Sequence, residues 1–125
     1  MLYRRCSVIC TPRRTIQPTQ HFPKSPFPEQ VWCKLRKKNR EELYIILIGV
    51  CYRSPTTSIY NNNIDISLID LLNELAGKHF VFMGDFNYPD IDWNAKHCPS
   101  TASKETQLFW NCCEDNFFVQ HVTAV

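Results

Sequence analysis

A chain of 125 residues, 44% of them apolar, has enough material for one domain around one core and too little for two. The formal charge of +2 is uneven: residues 1–28 hold five basic residues (Arg4, Arg5, Arg13, Arg14, Lys24) and no acid, leaving nine basic and all twelve acidic residues to the rest. The basic balance belongs to the head, and is poor evidence that the folded part binds nucleic acid.

The longest apolar run, Leu43 to Cys51, is about half the roughly 20 residues a spanning helix needs, so no membrane partner is expected. A signal peptide needs an unbroken apolar stretch, and Cys6, Ser7, Cys10 and Pro12 interrupt the only candidate. The seven cysteines are odd in number and contain no Cys-x-x-Cys, which favours neither a zinc site nor a disulfide framework. They read as small hydrophobes in a reducing, intracellular compartment, cytoplasmic or nuclear.

Residues 1–28 carry five of the eight prolines and no regular periodicity. They are expected to form a disordered or loosely attached head, with 29–125 as the folded part. From Glu29 the pattern changes. Val31, Cys33 and Leu35 alternate with Trp32, Lys34 and Arg36, as in a half-buried strand. Lys37 to Glu42 is a polar break that predicts a turn. Leu43 to Cys51 is rich in β-branched residues and predicts a strand buried on both faces, ending at Tyr52-Arg53-Ser54-Pro55, where Pro55 stops pairing.

Thr56 to Asn63 reads as a polar loop. Ile64, Leu68, Leu71, Leu72 and Leu75 recur at helical spacing, with Asp65, Ser67, Asp70, Asn73 and Glu74 largely on the other side. Asn62 or Asn63 can cap the start, and Gly77 can close the end. His79-Phe80-Val81-Phe82-Met83-Gly84-Asp85-Phe86-Asn87 follows at once. A bounded apolar run of this kind predicts a buried strand. By strand alternation Asp85 and Asn87 leave its end on one side, while Phe86 turns into packing.

That strand end is the most informative feature of the chain. A carboxylate can hold a hard cation or orient a water, and a carboxamide both donates and accepts. The pair suits phosphoester chemistry. Tyr88 to Pro99 then reads as a loop. Ser103 can cap a second helix whose apolar side is Leu108, Phe109, Cys112 and Cys113 and which ends near Asn116. Phe117 to Val122 suggests a further strand. Strand, helix and strand in succession predict a layered α/β (α+β) domain.

Gly49-Val50-Cys51-Tyr52-Arg53-Ser54-Pro55, a helix, Phe82-Met83-Gly84-Asp85-Phe86-Asn87, Asp90-Ile91-Asp92-Trp93 and Gln120-His121-Val122-Thr123, in this order, resemble the endonuclease/exonuclease/phosphatase family. More narrowly, they are similar to the apurinic-type endonuclease domain of non-LTR, LINE-like retrotransposons. The resemblance covers about residues 30–125 and implies part of a two-sheet sandwich with flanking helices, a fragment of a DNase I-like four-layer fold. It implies Mg²⁺ (or Mn²⁺) as cofactor of the intact domain, DNA as its partner, and nicking of a phosphodiester as its reaction, with no defined protein partner.

By the same resemblance Asp85 orients or deprotonates the attacking water or shares in holding metal. Asn87 hydrogen-bonds the scissile phosphate or that water, Tyr52 approaches the phosphate through its hydroxyl, and Arg53 is a candidate phosphate contact. The family's upstream asparagine and glutamate and its downstream aspartate and histidine have no counterparts, and His121 does not replace the last. The chain is therefore expected to be a fragment truncated at both ends, inactive alone, poorly soluble or partly unfolded. Two rival functions share the fold or lack the chemistry: a phosphoesterase of a non-nucleic substrate, and a non-catalytic remnant with weak nucleic-acid affinity through residues 4–24.

Each candidate has a plain structural alternative. Asp85 and Asn87 can cap a turn after a strand. Tyr52 can be an ordinary strand-end aromatic, and Arg53 a solvated loop arginine. Asp90 and Asp92 suit turn chemistry better than metal, and Trp93 suits packing better than base stacking. His79 and His97 read as structural or surface residues, His121 as a core histidine. Cys112 and Cys113 read as packing, because helix neighbours point apart.

Overall fold

The centre of the fold is a parallel strand–helix–strand unit. In this computed structural model, which describes residues 6–10, 21–39, 42–54 and 63–121 (residues 6–10, 37–39, 42–44 and 63 by backbone alone), β3 (Glu42–Tyr52) and β4 (Phe80–Asp85) run parallel, joined through helix α1 (Asn63–Leu75). Strand β2 (Gln30–Asn39) pairs antiparallel with β3 from Gln30↔Cys51 to Asn39↔Glu42. The polar break expected over 37–42 is therefore shorter, since the ladder continues through both of its ends. On the other side of β4 lie β1 (Cys6–Cys10) and then β5 (Val119–Gln120), both antiparallel. The result is a five-stranded mixed sheet of order β2-β3-β4-β1-β5, in an α+β fold.

Two described parts of the head expected to be unstructured are built into this sheet and its helix. Cys6–Cys10 pairs residue for residue with β4, from Cys6↔Asp85 to Cys10↔Val81, and fills what would otherwise be a bare strand edge. Residues 24–27 run along α1. Glu74 accepts the backbone N–H groups of Lys24 (2.6 Å) and Ser25 (3.0 Å), Ser25 Oγ donates to the Ser67 carbonyl (2.9 Å), and Phe27 is buried. Short pieces with satisfied backbone groups need no periodicity of their own to be ordered.

The core lies on one face of the sheet. Helix α2 (Lys104–Asp115) packs beside α1, and one buried cluster takes Leu47 and Cys51 from β3, Phe80 and Phe82 from β4, Leu68, Leu71, Leu72 and Leu75 from α1, and Phe109, Cys112 and Cys113 from α2. The leucine stripe predicted for α1 is thus its core face. Gly77 (φ +79°) closes α1 in the left-handed conformation glycine favours, with Lys78 N–H bonded to the Leu75 carbonyl. Ser103 caps α2 by accepting from Thr106 N–H (3.2 Å), and Asn116 ends it, as the sequence predicts. Leu108, assigned to the apolar side, is exposed; Thr106 takes the buried place, because Thr106, Phe109 and Cys113 follow the i, i+3, i+7 line of the inner face. Asn62 and Pro55 lie outside the described residues.

On the opposite face, β2 and β3 expose apolar side chains among the described residues. Val31 is 74% exposed, and Leu35, Ile46, Val50 and Tyr52 are also exposed. Val31↔Val50 and Leu35↔Ile46 are register partners, so the exposed groups are contiguous. Strand β3, expected to be buried on both faces, is exposed at Ile46 and Val50, because both described helices cover the other side. The β2 residues that turn inward include Trp32, whose ring stacks on Phe82 at 4.9 Å. An apolar strip of this kind on a sheet face is the mark of a surface made to be covered, and the arrangement is consistent with one layer of a two-sheet sandwich. Among the described residues no helix is long and apolar enough to cross a membrane.

Candidate active site at the ends of β3 and β4

The site begins with a glycine that permits close strand contact. Gly84 has φ +146°, and a Cβ placed on it would lie 1.9 Å from the Cys51 carbonyl oxygen. No residue with a side chain fits there without moving β3. The close approach brings Tyr52 and Asp85 into register at the carboxyl ends of the two strands, and Arg53 N–H still reaches the Asp85 carbonyl (2.9 Å). Tyr52 is half exposed.

Asn87 is brought beside Asp85 by a turn, not by strand alternation. The strand stops at Asp85, and Asn87 adopts φ +52°, a left-handed conformation that asparagine tolerates better than most residues. Its backbone N–H donates to Asp85 Oδ1 (3.0 Å), an Asx turn. Its Nδ2 donates to the Arg53 carbonyl, tying the amide to the end of β3. The turn-capping alternative is therefore realised in the same geometry that gathers the acid and the amide. Phe86 points into the core as predicted, against Phe82 (5.3 Å) and Phe109 (5.4 Å).

Arg53 is neither a solvated loop arginine nor free to reach a phosphate. It is 5% exposed, its Nε donates to Asp65 Oδ1 (2.8 Å), and its Nη1 donates to the carbonyls of Phe86 (3.2 Å) and Asn87 (2.9 Å). Its guanidinium lies 4.0 Å over the ring of Tyr88, whose hydroxyl donates to the same Asp65 oxygen (2.7 Å). Asp65, expected largely on the solvent side of α1, is 3% exposed. The signal was present: Asp65 stands three residues before Leu68 and seven before Leu72, on the inner face. Arg53 likewise has the parity of Leu47 and Cys51. Burial pushes the Tyr88 phenol and the Cys51 thiol far up, the latter further raised by the Asp85 carboxylate, so both are neutral.

The remaining candidates lie apart from this cluster. Asp92 serves a turn, accepting Ala95 N–H (3.0 Å) and bridging His97 through the backbone. Asp90 is exposed, and Trp93 packs against Phe109 and Trp110, as the packing alternative holds. His97 is exposed and helps line a cleft of about 510 Å³ with Cys98, Trp110 and Asn111, which includes none of Tyr52, Asp85 or Asn87. His121, expected in the core, is exposed, because β5 ends at Gln120. Cys112 and Cys113 are both buried thiols and form no disulfide.

Among the described residues no group of three or more His, Cys, Asp or Glu is gathered as a metal cage. Mg²⁺ often takes only one or two carboxylates, with water and phosphate oxygens completing its shell. Asp85 fits as one such ligand. Chemically, the strand ends offer a carboxylate to orient a water, and a phenol and a carboxamide as fixed donors.

Comparison with protein families matches residues 46–124, more than half of the chain, to the family described as endonuclease-reverse transcriptase. No curated protein and no solved structure matches. The matched span holds β4 entire, both helices, and each of Tyr52, Asp85 and Asn87. The chain therefore belongs to the endonuclease-reverse transcriptase family.

Proposed function

We propose that the chain carries the strand-end part of a Mg²⁺-dependent DNA endonuclease site of a non-LTR, LINE-like retroelement, one that nicks the target DNA strand. The observation that supports this reading is the register of Tyr52 with Asp85 at the ends of two parallel strands, with Asn87 folded back onto the Asp85 carboxylate. In phosphodiester hydrolysis negative charge builds on the phosphoryl oxygens as water attacks. Asp85 orients the water and accepts its proton. The Tyr52 hydroxyl and the Asn87 amide donate to the oxygens on which charge accumulates. A divalent cation, when bound, neutralises that charge and lowers the pKa of the attacking water.

The isolated chain is inactive in this proposal, because among the described residues no group of three or more metal-ligating side chains is gathered at the strand ends. The test is Mg²⁺-dependent nicking of supercoiled plasmid by the parent retroelement domain containing this segment. Asp85→Ala is expected to lower the rate by about a thousandfold. Equal nicking by the variant overturns the assignment of Asp85, and so does robust nicking by the isolated chain that survives Asp85→Ala.

A further inference from the structure

We infer that Arg53, Asp65 and Tyr88 are positioning residues for the candidate site: a buried latch that sets the place of the Asp85–Asn87 turn relative to helix α1. The inference rests on the phosphodiesterase reading of that turn and gives its neighbours a task.

Arg53 touches all three residues of the turn. Its backbone N–H holds the Asp85 carbonyl (2.9 Å), and its Nη1 holds the Phe86 (3.2 Å) and Asn87 (2.9 Å) carbonyls. Its own carbonyl receives the Asn87 amide. Asp65 fixes the guanidinium from α1, and Tyr88, the residue after the turn, closes the ring by donating to the same carboxylate oxygen while stacking under the guanidinium. The backbone at Asn87 is in a sparsely populated conformation, and such residues persist where the surroundings over-determine them. These contacts supply that over-determination.

Stability alone is a poor reason for the arrangement. Removing two charges from water costs about as much as their attraction returns, and a well-packed apolar replacement of a buried pair is often neutral or stabilising. What apolar groups cannot do is hold the successive carbonyls of Phe86 and Asn87 at fixed places, as Arg53 Nη1 does. A planar fork of donors can. Tyr52, Asp85 and Asn87 belong to two strands and a turn, so their mutual distances depend on what ties the turn to β3. That tie is Arg53, and Asp65 transfers its position to a helix.

The test replaces the whole latch by apolar groups of similar size, Arg53→Met with Asp65→Leu and Tyr88→Phe. In the 125-residue chain amide exchange in the segment 84–91 is expected to accelerate by about tenfold while other segments keep their protection, with the thermal midpoint lowered only as far as the Phe86 and Asn87 carbonyls lose their donor. In the parent domain kcat for nicking is expected to fall by about a hundredfold with KM unchanged, the signature of misplacement. Unchanged exchange at 84–91 overturns the inference. So does a raised KM with kcat retained, which would make Arg53 a substrate contact. If the triple variant fails to fold, Tyr88→Phe deletes one hydroxyl only. It is expected to raise local exchange by about threefold, and no local change there also overturns the latch. Failure of the nuclease reading is separate: Asp85→Ala would then nick like wild type, while the exchange measurement still decides the latch.

Discussion

Gly84→Ala is the sharpest perturbation of the strand-end geometry. Two costs add. First, φ +146° is a conformation that alanine rarely adopts, and strain of that kind costs about 1–3 kcal/mol. Second, the new methyl carbon would stand 1.9 Å from the Cys51 carbonyl oxygen and 2.8 Å from its carbonyl carbon, both backbone atoms of a central strand. No side chain can swing aside to relieve this. β3 and β4 must separate, which weakens one or two ladder hydrogen bonds beside buried groups, at about 1–3 kcal/mol for each group left unsatisfied. A total of about 2–9 kcal/mol is a large share of the 5–15 kcal/mol that holds a domain folded. Urea unfolding followed by far-UV circular dichroism measures it. A loss under about 1 kcal/mol would refute the reasoning, since it would mean that the strands do not approach this closely at Gly84.

Three further outcomes follow from the same structure. Phe109→Ala removes a fully buried ring that meets Phe86, Tyr88 and Trp93, and should cost about 3–5 kcal/mol in thermal or urea unfolding. Val31→Lys with Val50→Lys places charge on the open face; sedimentation should show less self-association with little change in stability, the opposite of a core substitution. Among the described cysteines, Cys33 is exposed and should be alkylated first at pH 8, while Cys51 and Cys113, with thiols pushed up by burial, should react only on unfolding, as mass mapping will show. The sign of the pH dependence follows. The folded state keeps the protons of these thiols where the unfolded state releases them, so stability is full below the ordinary thiol value of 9.0 and declines as pH rises through it.

Elements with a long period were legible in the chain. The leucines of α1, the Ser103 cap, and the apolar run into Gly84-Asp85 each follow from spacing that one face of a helix or strand imposes. What escaped prediction depends on partners distant in sequence. Cys6–Cys10 is a strand because β4 offers it an edge, and nothing in its proline- and arginine-rich surroundings announces that. Glu74 and Asp65, expected largely on the side of α1 away from the leucine stripe, have distant partners: one receives the backbone of residues 24–25 and the other a buried guanidinium. Arg53 illustrates the same point. It stands one residue past β3 and keeps the alternation of Leu47 and Cys51, which turns it inward to Asp65 on α1. Asn87 sits beside Asp85 for a reason other than alternation: the strand has ended, and an Asx turn does what the pleat was expected to do.

The open face of the sheet links the fold to the proposed chemistry. A surface lined by Val31, Leu35, Ile46 and Val50 leads directly to Tyr52.

A double-mutant cycle between Tyr52→Phe and Asp85→Asn, read as Mg²⁺-dependent nicking by the parent domain, measures whether the two strand ends form one site. Groups that act on a single transition state are strongly non-additive, so the double variant is expected to be about as slow as the slower single one. Losses that multiply, or single variants that nick like wild type, would contradict it.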